Sequence, residues 1–160
     1  MVTLAVTGHM DLTEESVPLV RAALRDLIAG FGPEVTGVSC IAAGSDTIFA
    51  EEVTAAGGQL IVVIPSQNYR EAKVKPDHAP SFDRLITAAS EVVTLPHPTA
   101  NRAAYEEAND LLLRRAHRLV AVWDGSPPAG RGGTADTVAL AREAGMPVDV
   151  VWPATAARRG

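Results

Sequence analysis

The stretch AVWDGSPPAGRGGTADTVALAREAGMPVDVVWP, residues 121–153, holds a strand, a loop, a helix and a second strand in sequence. Its first apolar run ends in Asp124, and a loop rich in glycine and proline follows. TADTVALAREAG then has the composition and spacing of a helix, and PVDVVWP returns to a β-branched run that is typical of a strand. A helix between two strands predicts a βαβ unit, in which both strands lie parallel in one sheet.

The rest of the chain repeats this alternation. VTLAVTG (2–8) and EVTGVSC (34–40) are strand-like, and each precedes a helical pattern. QLIVVIPS (59–66) is almost continuously apolar, as expected of a strand buried on both faces, whereas residues 67–80 lack periodicity and predict a loop on the ligand side. We therefore predict an α/β class protein, a Rossmann-like three-layer sandwich with a mainly parallel central sheet. One domain is expected over residues 1–153, with a disordered tail over residues 154–160.

Composition excludes several classes of protein. The net charge of −5 argues against a nucleic-acid partner, because such surfaces need an excess of Lys and Arg on one face. Cys40 is the single cysteine, which favours a reducing, cytoplasmic location. No apolar stretch is long enough to predict a membrane span, and the histidines lack metal-ligand spacing, so neither a membrane partner nor a metal site is expected.

Ligands of such sheets bind beyond the carboxyl ends of the strands, so the loops there are the candidate sites. After the first strand, TGHMD places a tight glycine turn beside two titratable groups. After the second strand, AAGSD precedes a helix whose first amides can face an anion, although Ser45 or Asp46 can equally serve as a helix cap. The candidate ligand-binding residues of these two loops are Gly8, His9, Gly44, Ser45 and Asp46.

The loop GRGGT (130–134) is the strongest candidate. Glycines and a hydroxyl directly before a helix can expose backbone amides to a phosphate, although a glycine-rich turn without a ligand remains an alternative. The pattern is neither a Walker A loop nor a dinucleotide fingerprint, and no cofactor is predicted. Asp124 lies where a carboxylate can accept hydrogen bonds from ribose hydroxyls, or cap the next turn. The candidates of this loop are Asp124, Gly125, Gly132, Gly133 and Thr134.

The helix NRAAYEEANDLLLRRA adds a secondary set. Arg102, Tyr105 and Asn109 are three and four residues apart and share one face. This face either is a solvated surface or frames a base or sugar. Leucine- and alanine-rich helix faces also predict a homo-oligomer.

With these motifs assembled, the chain resembles the SLOG superfamily. This is the Rossmann-like group of DNA-processing protein A, the "lysine decarboxylase-like" cytokinin-activating phosphoribohydrolases, molybdenum-cofactor carrier proteins and nucleotide-sensor domains. The resemblance covers VTGH, AAGSDTIFAEE, YEEAND and the segment from AVWDG to AGMPV, and it implies a nucleotide pocket at the edge of the sheet. The phosphoribohydrolases of the group carry a catalytic Glu in P-G-G-x-G-T-x-x-E, where this chain has Thr137.

Three functions stay open at this stage. The favoured one is binding of a small nucleotide or related phosphorylated ligand, as a sensor or carrier. A nucleoside 5′-monophosphate N-glycosidase is the second, with Asp136 as the candidate catalytic residue although its position is displaced by one from the family motif. The third is a structural or interaction protein without a ligand.

Overall fold

The computed structural model describes residues 1–128 and 133–160, and in these residues strands and helices alternate along the chain. The strands are β1 (Val2–Gly8), β2 (Val35–Ser39), β3 (Gln59–Ile64), β4 (Glu91–Thr94), β5 (Arg118–Val122) and β6 (Val148–Val151). The helices are α1 (Ser16–Ala29), α2 (Ser45–Ala55), α3 (Tyr69–Lys73), α4 (Ala79–Ala88), α5 (Arg102–Arg115) and α6 (Thr134–Glu143).

The six strands form one sheet in the order β4-β3-β2-β1-β5-β6, and every pair is parallel. In the centre, Ala5 of β1 lies opposite Val38 of β2 on one side and Leu119 of β5 on the other. The predicted Rossmann-like α/β fold is therefore confirmed. All carboxyl ends of the strands meet at one edge of the sheet, because parallel strands share one direction.

Helices cover both faces of the sheet. Leu4 and Val6 of β1 pack in one cluster with α1 and α2, while Ala5 between them packs with α5 and α6 on the opposite face. The first cluster includes the fully buried Phe49 of α2, which crosses β2 directly over Gly37. A third cluster joins α4 and the buried Tyr69 to β3. The result is a three-layer sandwich that holds the loops at the edge in fixed positions.

Two segments differ from the sequence prediction. Residues 67–80, expected to be a loop, contain the short helix α3, because Tyr69 is buried against Phe82 and anchors this turn to the core. Residues 154–160, expected to be disordered, instead lie against the loop after β1, where Leu12 and Arg158 form an antiparallel bridge. No helix within residues 1–128 and 133–160 has the length and apolar character needed to cross a membrane.

Candidate functional site

A cavity lies at the carboxyl edge of the sheet. The chain runs from β1 towards β4 on one side of the sheet and places β5 and β6 on the other, so the direction of winding changes between β1 and β5. The loops after these two strands lead to helices on opposite faces, which opens a crevice between them. A cavity of about 570 Å³ extends from this crevice, within the size range of small-molecule sites.

Seven predicted site residues line this cavity, together with side chains from five elements. The seven are Gly8, His9, Asp46, Tyr105, Asn109, Gly133 and Thr134. The structure does not place Gly44, Ser45, Asp124, Gly125 or Arg102 in its wall.

Close packing explains the glycines of the first two loops. A Cβ atom at Gly8 would lie 2.6 Å from Cβ of Ser45, and one at Gly44 would lie 2.8 Å from the carbonyl oxygen of Met10. Gly44 also has φ of +82°, a conformation that favours glycine. Ser45 is fully buried, and its hydroxyl donates a 2.7 Å hydrogen bond to the carbonyl oxygen of His9. Gly44 and Ser45 therefore fix the loop that carries His9.

His9 and Asp124 form a pair at the crevice between β1 and β5. Nε2 of His9 lies 3.1 Å from Oδ1 of Asp124 and 3.2 Å from its backbone nitrogen. Burial opposes ionisation of Asp124, but hydrogen bonds from Ser126 and His9 prevail and hold its pKa at about 2. The ring of Trp152 meets the His9 ring edge-on at 5.6 Å. Asp124 thus orients the His9 ring and is negatively charged at neutral pH. The next residue, Gly125, turns the chain with φ of +84°.

Asp46 is the carboxyl group within the cavity that departs most from ordinary behaviour. Burial raises its pKa to about 7, against an opposing backbone hydrogen bond with Ala42. Cys40 and Tyr69 lie in the same part of the cavity, and burial raises the pKa of the Cys40 thiol and of the Tyr69 hydroxyl. A carboxyl group that changes charge near neutral pH can donate or accept a hydrogen bond from a ligand.

The cavity is also lined by the start of α6. Gly133 is the N-cap in an extended conformation, with φ of −82°, and Thr134 begins the helix. These residues line the cavity, and the first amides of a helix have no acceptor within the helix, so this helix start can offer hydrogen-bond donors to an anion. Gly132, predicted with them, lies outside the described residues, as do Gly130 and the rest of 129–132.

The three residues predicted to share one face of α5 do not all line the cavity, and Asp136 of α6 does not line it either. Tyr105 and Asn109 line the cavity, whereas Arg102 is exposed at the start of the helix. Asp136 instead lines a neighbouring groove between α5 and α6, together with Glu106 and Leu140. Asn109 borders both spaces.

The cavity wall also contains residues that were not among the sequence candidates, and three of them carry polar or charged groups of interest, Tyr69, Lys73 and Arg158. Tyr69 and Lys73 belong to α3, in the segment predicted to be a loop on the ligand side. Arg158 comes from the segment predicted to be disordered, and its Nε donates to the Asp11 carboxylate at 2.9 and 3.1 Å. Both tyrosines, Tyr69 and Tyr105, meet edge-on at 6.4 Å. A role for Lys73 in the site could have been predicted, because it lies in the segment that follows a buried strand. Nothing in the sequence near Arg158 indicates a site.

Comparison with solved structures shows the same fold in several proteins of low sequence identity. DNA processing protein A from Streptococcus pneumoniae matches over 97% of this chain and 52% of its own, with 18% identity and a TM-score of 0.71. DNA processing protein A from Helicobacter pylori, described in a single-stranded DNA binding mode, matches over 93% and 64%, with 16% identity and a TM-score of 0.68. The molybdenum cofactor carrier protein of Chlamydomonas matches over 93% and 74%, with 20% identity and a TM-score of 0.56.

The chain therefore spans between about half and two thirds of the DNA processing proteins it matches. No protein-family model and no curated protein sequence matches it. The structural matches include two groups named above as members of the SLOG superfamily, DNA processing protein A and the molybdenum cofactor carriers. The resemblance noted in the sequence is thus confirmed at the level of the fold: this chain has the same Rossmann-like architecture as DNA processing protein A and the molybdenum cofactor carrier protein.

Proposed function

We propose that this protein binds a small nucleotide or related phosphorylated ligand in the cavity at the carboxyl edge of the sheet, as a sensor or carrier. The main support is the composition of one cavity of about 570 Å³, which is lined by the start of a helix, by cationic side chains and by aromatic rings. The proposal assigns the phosphate to the start of α6 at Gly133 and Thr134. It assigns a flat base or equivalent ring system to the aromatic side chains Tyr105 and Trp123, which both line the cavity.

Charge and chemistry support this assignment. A helix N-terminus favours a negative group through its unpaired amides and its dipole. Lys73 and Arg158 add positive charge at the cavity. Asp46, with its pKa near 7, can donate a hydrogen bond in its neutral form.

The structural neighbours are consistent with a ligand-carrying role for this fold. One is named a molybdenum cofactor carrier protein, and another is described as binding single-stranded DNA. For this chain we favour a small ligand over DNA, because the net charge of −5 opposes a polyanion. The N-glycosidase alternative is not proposed, since Asp136 lies in the neighbouring groove instead of the cavity.

Calorimetric titration with the common nucleoside 5′-monophosphates tests the proposal. Gly133→Val places a branched side chain where no atom lies within 4 Å, so the fold can accept it while the approach to the α6 amides is obstructed. Thr134→Val removes one hydroxyl from the cavity and keeps the side-chain shape. Thr87→Val is the matched control, because the Thr87 hydroxyl bonds only within its own helix at an exposed position.

We expect binding to wild type and to Thr87→Val, and weaker binding by about tenfold or more to Gly133→Val. Equal affinity of Gly133→Val and wild type would overturn the assignment of the phosphate to α6. A wild-type protein that binds no monophosphate overturns the proposed function. A single-stranded oligonucleotide in the same assay, bound more tightly than any monophosphate, would replace the small ligand with a nucleic acid.

A further inference from the structure

The segment 156–159, here called the strap, is seated on the loop after β1 by backbone hydrogen bonds. The amide of Thr13 donates to the Ala157 carbonyl at 3.1 Å, and the amide of Arg159 donates to the Asp11 carbonyl at 2.7 Å. The Ala157 amide donates to Oγ of Ser16 at 2.8 Å. The strap therefore pairs in a defined register with the loop after β1, although Ser16 and Ala157 are 141 positions apart in the sequence.

This register places the Arg158 side chain in the wall of the cavity. Its Nε donates to both oxygens of Asp11, and Nη1 lies 3.8 Å from Oδ2 of Asp124. The side chain remains 39% exposed, so the guanidinium lies at the mouth of the cavity and is reachable from it. Within the described residues only Nε makes a hydrogen bond, whereas a guanidinium has five N–H donors.

Two carboxylates flank Arg158 at this mouth. Asp11 and Asp124 are both ionised at neutral pH, because the hydrogen bond from Arg158 lowers the pKa of Asp11 and Asp124 has a pKa of about 2. Two carboxylates at the crevice between β1 and β5 repel a phosphate. Arg158 lies between them and offsets this charge at the point where the sheet winding directs a ligand.

We propose that Arg158 is a ligand-binding residue, carried into the site by the strap, that pairs with the anionic group of the ligand in exchange for part of its contact with Asp11. The inference rests on the proposed function and adds to it a second anion contact, distinct from the start of α6. Arginine suits this role because its planar fork can hold a carboxylate and a phosphate oxygen at the same time. Asp11 then keeps the guanidinium in place until a stronger acceptor arrives.

The test compares a nucleoside 5′-monophosphate with the corresponding nucleoside by calorimetry. Arg158→Gln should weaken monophosphate binding about tenfold or more and leave the nucleoside within about twofold. Arg159→Gln is the matched control on the same strap and should bind both like wild type. Ser16→Ala loosens the strap without removing the cation, and it separates loss of charge from loss of the strap. Asp11→Asn should strengthen monophosphate binding, because it removes the competing carboxylate.

The outcomes separate this inference from the proposed function. If wild type binds the monophosphate and Arg158→Gln binds it equally well, the inference is overturned and the proposed function stands. An equal loss of monophosphate and nucleoside binding in Arg158→Gln also overturns it, because the arginine would then act only through the fold. A loss in Ser16→Ala that is confined to the monophosphate supports it, because the strap positions the cation. If wild type binds no monophosphate, inorganic pyrophosphate replaces it as the probe. Pyrophosphate binding that is lost only in Arg158→Gln then supports the anion contact although the proposed function has failed, and no binding of either probe overturns both.

Discussion

Replacement of Asp46 by asparagine should change how the stability of this protein depends on pH. Burial raises the pKa of Asp46 from an ordinary value of 3.8 to about 7 in the folded protein. Asparagine has nearly the same shape, can accept the hydrogen bond from Ala42 and carries no charge at any pH. The difference in unfolding free energy between wild type and Asp46→Asn therefore isolates the ionisation of this one group.

The sign follows from the direction of the shift. At pH values below the unfolded pKa, the carboxyl is neutral in both states, so burial of Asp46 carries no cost from its charge. As pH rises from about 4 to about 7, the unfolded chain ionises while the folded protein does not, so wild-type stability falls relative to the variant. A separation of about 3 pKa units corresponds to about 4 kcal/mol, which is reached once pH exceeds the folded pKa.

Urea unfolding at half-unit steps from pH 4 to pH 8.5 measures this difference. We expect Asp46→Asn to gain about 4 kcal/mol over wild type across the interval, with most of the change between pH 4 and pH 7. Asp83→Asn is the matched control: the exposed ion pair with Arg70 lowers the pKa of Asp83 below its ordinary value of 3.8, so the difference between this variant and wild type should change little above pH 4. A difference between wild type and Asp46→Asn that stays constant within about 1 kcal/mol would refute the reasoning.

Three further predictions follow from packing and burial. Gly37→Ala should destabilise the fold by about 1–3 kcal/mol in urea unfolding, because its Cβ would lie 2.9 Å from Phe49, whereas Gly133→Ala meets no atom and should cost far less. Cys40 should react with a thiol reagent many times more slowly in the native protein than in urea, since burial raises its pKa, and equal rates would contradict this. Light scattering should give a mass well above 16.7 kDa at micromolar concentration, because Leu140 and other apolar side chains are exposed, and a mass near 16.7 kDa would exclude the homo-oligomer.

The fold was predictable because its signals are local and repeated. QLIVVIPS is apolar on both faces in the sequence, and β3 is indeed covered on both sides by helices. The loop motifs were also found, but their residues divide into two roles that sequence alone does not separate. Gly44 and Ser45 pack beneath the loop of His9, while Asp46 directly after them lines the cavity. Only the position of each residue in the folded loop distinguishes the two roles.

The residues that sequence reasoning missed depend on contacts between distant parts of the chain. Arg158 lies in a polar, alanine-rich segment that has no periodicity, and its position follows from pairing with residues 11–16 at the other end of the sequence. Nothing local marks that pairing, because a single bridge needs only backbone amides and carbonyls that every such segment has. The consequence is electrostatic: the same loops that present Asp11 and Asp124 at the crevice bind the segment that neutralises them. An anion site in this acidic protein is therefore a property of the assembled edge of the sheet, and no single loop motif contains it.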